Sequence, residues 1–123
     1  MFAWISYICM AGLVWLIEAQ ETPVVQVPGE RHLANLRQLT FGGENAEGYF
    51  SFNEKMVTFQ STHPPYQCDQ QFTLDLATGT TRLVSTGRGR TTCGYFMPGD
   101  TTLLFASTHE HLETCPPLNL VDK

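Results

Sequence analysis

The amino-acid sequence predicts an all-β chain of short antiparallel strands, and three observations carry that prediction. Ten glycines and seven prolines in 123 residues are many for a helical bundle. Short apolar or β-branched runs alternate with Gly, Pro, Asn and Asp every few residues, which is a strand-and-turn pattern. A block of residues recurs at a spacing of 46, and self-similarity at a fixed period marks an array of supersecondary units. With 42% hydrophobic and 15% charged residues the chain is too apolar to be disordered.

The first element is a targeting segment. Met1 to Ile17 carries no charge. The run is short for a spanning helix of about 20 residues and suits a signal-peptide core. Ile17-Glu18-Ala19 places a small residue before a cut, so the expectation is a signal peptide over 1–19 and a mature chain from Gln20. No Lys or Arg precedes the apolar run, and an uncleaved membrane anchor is the alternative; the membrane is otherwise not an expected partner. Cys9 leaves with this segment, and Cys68, Cys93 and Cys115 remain. Export makes disulfides permissible, so a periplasmic or secreted location is expected. Residues 20–34, which include Pro23, Pro28 and Gly29, read as an extended lead-in.

Residues 35–123 read as repeats. Gly48 to His63 (GYFSFNEKMVTFQSTH) and Gly94 to His109 (GYFMPGDTTLLFASTH) share seven of sixteen positions. Upstream, Arg37 to Gly43 precedes the first copy much as Arg82 to Arg88 precedes the second, with a slip of one residue. Four strands fit in the first unit: Gly48 to Phe52, Met56 to Ser61, Gln70 to Asp75 and Thr80 to Val84. Turns fall at Asn53 to Lys55 and Ala77 to Gly79, and a loop at Thr62 to Asp69. The second unit restarts at Gly94, turns at Pro98 to Asp100 and continues through Thr102 to Ser107.

Four strands per 46 residues is the size of a β-propeller blade. The fold class is therefore a partial β-propeller of about one and a half four-stranded blades after a signal peptide. Leu36 to Thr40 reads as the last strand of a preceding or closing blade, and Glu110 to Lys123 as a tail. Propellers close with about four to eight blades, so the chain reads as the N-terminal fragment of a longer protein. A small self-contained β domain stapled by a disulfide is the alternative.

The strand pair Phe50-Ser51-Phe52, Lys55-Met56, Phe59-x-Ser61-Thr62 is followed by Phe72-x-x-Asp75-x-x-Thr78-Gly79 and closed by Arg82-x-Val84-Ser85. This series resembles the TolB-like propeller repeats of exported bacterial proteins, over about 60% of the chain from Asn35 to His109. The resemblance implies a non-catalytic envelope module whose rim binds protein or peptide partners, as in the Tol-Pal transport and envelope-integrity system. Similar repeats also precede the catalytic domain of prolyl-oligopeptidase-like serine peptidases. The alternative function is accordingly an accessory propeller of an exported peptidase.

Charge excludes one class of partner. A net charge of −5, with seven Lys and Arg, leaves no basic face for nucleic acid. Catalytic motifs are missing too. Ser61 and Ser107 sit in a repeated Ser-Thr-His without a G-x-S-x-G elbow, and Asp69 and Asp75 read as turn and strand-end residues. Ser85 to Arg90 and Gly42-Gly43 lack the strand-to-helix setting of a phosphate loop. No catalysis and no cofactor are expected.

In a propeller, the loops between second and third strands and those between blades emerge on one rim. Here that rim collects His63, Tyr66 and Asp69, then Arg88 and Arg90, then His109, and these form the candidate binding rim. His63 and His109 recur at one repeat position, which points to closing strand ends by hydrogen bonds. Arg88 and Arg90 offer bidentate donors to a partner's carboxylate, against the plainer reading of a solvated loop. The three cysteines share the rim. Cys68 with Cys93 closes a loop of about 25 residues, worth about 3 kcal/mol, and Cys93 with Cys115 is the second pairing. Three cysteines and a histidine have the ligand types of a Zn site, but no metal spacing is present and no metal is expected.

Overall fold

The computed structural model describes residues 24–25 and 27–117; the expected signal segment, with its expected cut after Ala19, and the end of the tail lie outside them. The described residues contain eight strands and no helix. Strand β1 (Val24–Val25) pairs antiparallel with β2 (Leu36–Arg37). The lead-in thus contributes a strand, and Leu36-Arg37, expected to end a blade, pairs with it instead.

Four strands then form one antiparallel meander: β3 (Glu44–Phe50), β4 (Met56–Thr62), β5 (Gln70–Asp75) and β6 (Thr81–Leu83). A separate hairpin follows, β7 (Thr91–Phe96) with β8 (Leu103–Ser107). The repeat holds in three dimensions. Asn45, Ala46, Tyr49 and Phe50 face Ser61, Gln60, Thr58 and Val57. Thr91, Thr92, Tyr95 and Phe96 face Ser107, Ala106, Leu104 and Leu103, the same register one period of 46 later.

Both hairpins begin before the expected glycine, because a bulge carries the strand through it. Glu47 and Cys93, each preceding that glycine, adopt left-handed φ values of 52° and 53°. The register shifts at these points in both pairs. A bulge accommodates an unpaired residue and strengthens the local twist, so Gly48 and Gly94 lie inside strands rather than at their starts. The turns match as well, with Glu54 at φ 58° and Asp100 at φ 59°.

Alternation in β4 and β5 sends side chains to two unlike faces. Phe59, Phe72 and Leu74 are buried on one face and form the core, with the Phe59 and Phe72 rings stacked at 5.7 Å. Burying each phenyl contributes about 1.5–3 kcal/mol. Tyr66, Leu76 and Leu83 pack around them. The other face carries Thr58, Gln60 and Gln71, and it is the face that β7 covers. Thr92 Oγ1 donates to Gln60 Oε1 at 2.8 Å, and Gln71 Nε2 donates to Thr58 Oγ1 at 2.6 Å inside the joint. Gly94 lies directly on the Gln71 carboxamide, where a Cβ would come within 2.3 Å of Cδ. Tyr49 and Tyr95, one period apart, meet across the joint with tilted rings 4.4 Å between centroids. At its turn end the Asp100 carboxylate accepts from the Phe52 and Asn53 amides at 2.7 and 2.9 Å. The apolar face stays partly open, with a groove of about 230 Å³ lined by Leu39, Gly48, Val57, Phe59 and Leu74 among others.

Candidate functional site

Three loops converge on one rim of the sheets: the connection after β4, the crossing from β6 to β7, and the segment after β8. Backbone contacts seat them. Gly89 N donates to Glu113 O at 2.9 Å, Thr91 N to Asp69 O at 2.9 Å and Thr108 N to Arg90 O at 3.0 Å. Gln70, fully buried, donates from Nε2 to Gly89 O at 2.9 Å and accepts from Ser85 Oγ at 2.8 Å. Gly89 must be glycine here. Its φ is +63°, and a Cβ would sit 2.8 Å from His109 N, Leu112 O and Thr108 Oγ1.

The disulfide that ties the rim joins Cys68 to Cys115, with Cα atoms 5.7 Å apart. Both pairings read from the sequence used Cys93, and both are corrected. Cys93 is an exposed free thiol at the β7 bulge, its amide held by Gln60 Oε1 at 3.2 Å. Cys68 and Cys115 lie 47 residues apart, one off the repeat period, so they occupy neighbouring places in the loops after β4 and β8. Such a bridge belongs to an oxidising compartment.

The candidate residues divide into groups already engaged and groups still presented to solvent. Asp69 is engaged, accepting from Thr62 Oγ1 at 2.7 Å and from Arg90 at 3.0 Å. The Arg90–Asp69 pair is largely shielded from solvent, and Arg90 also donates toward Cys115 Sγ at 3.5 Å. Arg90 therefore locks the crossing loop to both its neighbours rather than facing outward. Arg88 pairs with Glu113 at 2.7 Å, but both side chains are exposed. An exposed pair of this kind contributes about 0–1 kcal/mol. Glu113 was not singled out in the sequence, since its part emerges only when the loops meet.

The two histidines diverge despite their shared repeat position. His109 Nδ1 meets Ser107 Oγ at 2.7 Å and closes the end of β8. His63 Nδ1 instead lies 2.9 Å from Pro64 O, and its ring packs on Phe72 at 5.1 Å and edge-on to Tyr66 at 5.8 Å. His63 and Tyr66 thus form an aromatic shelf continuous with the core, flanked by exposed Pro64 and Pro65. The Ser107–His109 contact is a local one between residues two apart. The described residues contain no group of three His, Cys, Asp or Glu side chains placed to hold a metal.

Sequence reasoning missed the groups that join the two sheets, namely Gln60, Gln71 and Asp100. The period of 46 carried part of that signal: Gly94 repeats Gly48, and Asp100 repeats Glu54. No family model, curated protein or solved structure matches the chain.

Proposed function

We propose that this chain is a non-catalytic, exported β-propeller module, similar to TolB-like envelope proteins, whose loop rim binds a protein or peptide partner. The carrying observation is the repeated hairpin: two units share one register, one bulge and one turn geometry, and β7 of the second lies against the sheet of the first, where the Tyr49 and Tyr95 rings meet at 4.4 Å. That arrangement suits consecutive blades of a propeller, in which rims built from loops do the binding. The disulfide supports an oxidising, periplasmic or secreted setting.

Within the rim, the reading assigns the contact surface to the His63–Tyr66 shelf and to Arg88. The aromatic shelf offers apolar area on a rigid base, and Arg88 offers a guanidinium whose present partner is exposed. Arg90 and Asp69 hold the loops in place beneath. A random-peptide display on the purified, oxidised chain tests this. Enriched peptides should lose at least tenfold in affinity on His63→Ala with Tyr66→Ala, and less on Arg88→Ala, while Glu54→Ala on the opposite turn changes nothing. Equal binding by the rim variants overturns the rim assignment, and peptidase or esterase turnover by the pure chain overturns the non-catalytic one.

A further inference from the structure

We infer that Cys68 and Cys115 form an exchangeable bridge rather than an inert staple: Cys115 is the sulfur that an external thiol attacks, and Cys68 is the sulfur that leaves and later closes the bridge again. This goes beyond the rim reading, since it concerns covalent chemistry between two loops and needs no bound partner.

The two sulfurs have unlike surroundings. Cys68 is 3% exposed, whereas Cys115 is half-buried. Exchange requires an attacking thiolate to reach a sulfur, so access selects Cys115. The polar neighbours differ in the same direction. Cys68 Sγ lies 3.1 Å from Gly89 O, a carbonyl that accepts from a thiol S–H and disfavours a thiolate. Cys115 Sγ lies 3.5 Å from Arg90 Nη2, a cationic donor that favours a thiolate, with the Gln67 carbonyl at 3.6 Å. Asp69 balances part of the guanidinium charge and, holding Nη1 at 3.0 Å, turns Nη2 to the sulfur. Cys93 is a free thiol on β7 and takes no part in the bridge.

In the opening step an external thiolate attacks Cys115 Sγ. The new S–S bond forms as the Cys68–Cys115 bond breaks, and the electron pair goes to Cys68 Sγ, which takes a proton from water and donates to Gly89 O. A second thiolate attacks the external sulfur, and Cys115 leaves as a thiolate facing Arg90. Two external thiols thus become one disulfide as the bridge gains an electron pair; closing it runs in reverse with an external disulfide as oxidant. Opening leaves Glu113 tied to the crossing loop by its carbonyl bond from Gly89 N and by the exposed pair with Arg88.

The test uses the folded full chain carrying Cys93→Ser, which removes the competing exposed thiol. After reaction with reduced glutathione and an acid quench, mass spectrometry should find glutathione on Cys115 at least about tenfold more often than on Cys68. In the chain reduced by a phosphine, iodoacetamide should alkylate Cys115 with a pH midpoint below the value of about 8.5 of an ordinary thiol. Arg90→Gln should raise that midpoint and Arg90→Lys should restore it. Glutathione shared equally or found mainly on Cys68 overturns the inference, as does a midpoint that Arg90→Gln leaves unchanged. Loss of the strand signal in circular dichroism on reduction also overturns it, since the bridge is then a staple. The glutathione distribution needs no Arg90 variant and decides the matter even where Arg90→Gln does not fold.

Discussion

The hairpins β3–β4 and β7–β8 are one structure built twice, with the same register, the same left-handed residue at the bulge and the same left-handed residue at the turn. Their surroundings differ. Thr58 is 0% exposed and its copy Leu104 is 63% exposed, because β5 and β7 close over the first and no described strand closes over the second. Phe50 and Phe96 invert the contrast at 64% and 8%, since β7–β8 lies against the first sheet while the opposite face of that sheet is partly open. The hairpin's geometry is thus local, written in its own residues. Burial, and with it most of the stability, is conferred by whichever sheet or strand lies next to it.

That comparison can be broken first at the core. Phe72→Ala removes a buried ring of the complete sheet and should cost about 3–5 kcal/mol, whereas Phe105→Ala on half-buried β8 should cost about half as much. Urea denaturation followed by tyrosine fluorescence measures both, and equal losses would show that the hairpin is as firmly packed as the sheet. The disulfide is next. Cys68→Ser or Cys115→Ser should cost about 4 kcal/mol by loop closure, while Cys93→Ser should shift stability by less than about 0.5 kcal/mol.

A sharper test compares the paired glycines. Gly94→Ala drives a Cβ into the buried Gln71 carboxamide and should cost about 1–3 kcal/mol. Gly48→Ala meets only Val57 Cγ1 at 3.8 Å and should be neutral or stabilising by up to about 1 kcal/mol. Thermal unfolding that ranks the two alike would mean that the joint between the sheets is not formed in solution. At the paired turns, Asp100→Ala frees the Phe52 and Asn53 amides and should cost about 1 kcal/mol, with Glu54→Ala unchanged.

The smallest effect is confined to the complete sheet. The Thr78 amide and hydroxyl, with the Ala77 amide, hold the Asp75 carboxyl below its ordinary value of 3.8. A carboxyl lowered in the folded state stabilises above its unfolded value, and that contribution is lost as pH falls through the folded one. The Thr78 amide resonance should therefore titrate with a midpoint below 3.8, and a midpoint at or above that value would show the β5–β6 turn to be open.

How far the sequence reached depends on the range of the interaction involved. Strand β5 was legible to the residue, because QQFTLD is flanked by a loop and by an Ala-Thr-Gly turn. The starts of β3 and β7 were not, since glycine after a polar run reads as a break, and only pairing with β4 and β8 reveals a bulge there. The rim was legible as a cluster but not in its pairings. Arg90–Asp69, Arg88–Glu113 and Cys68–Cys115 each join different loops, and no local pattern specifies which loop faces which.

By itself the sequence determined the strands of the repeats apart from the starts of β3 and β7, the period of 46 and the turn positions, because alternation, turn residues and repetition act over a few neighbours. The tertiary structure alone decided that Cys68 bonds Cys115, that Gly94 receives Gln71 while Gly48 borders an open groove, and that Arg90 faces inward. Each of these depends on two segments far apart in the chain arriving within a few ångströms, and their packing rather than their residue types selects the partner.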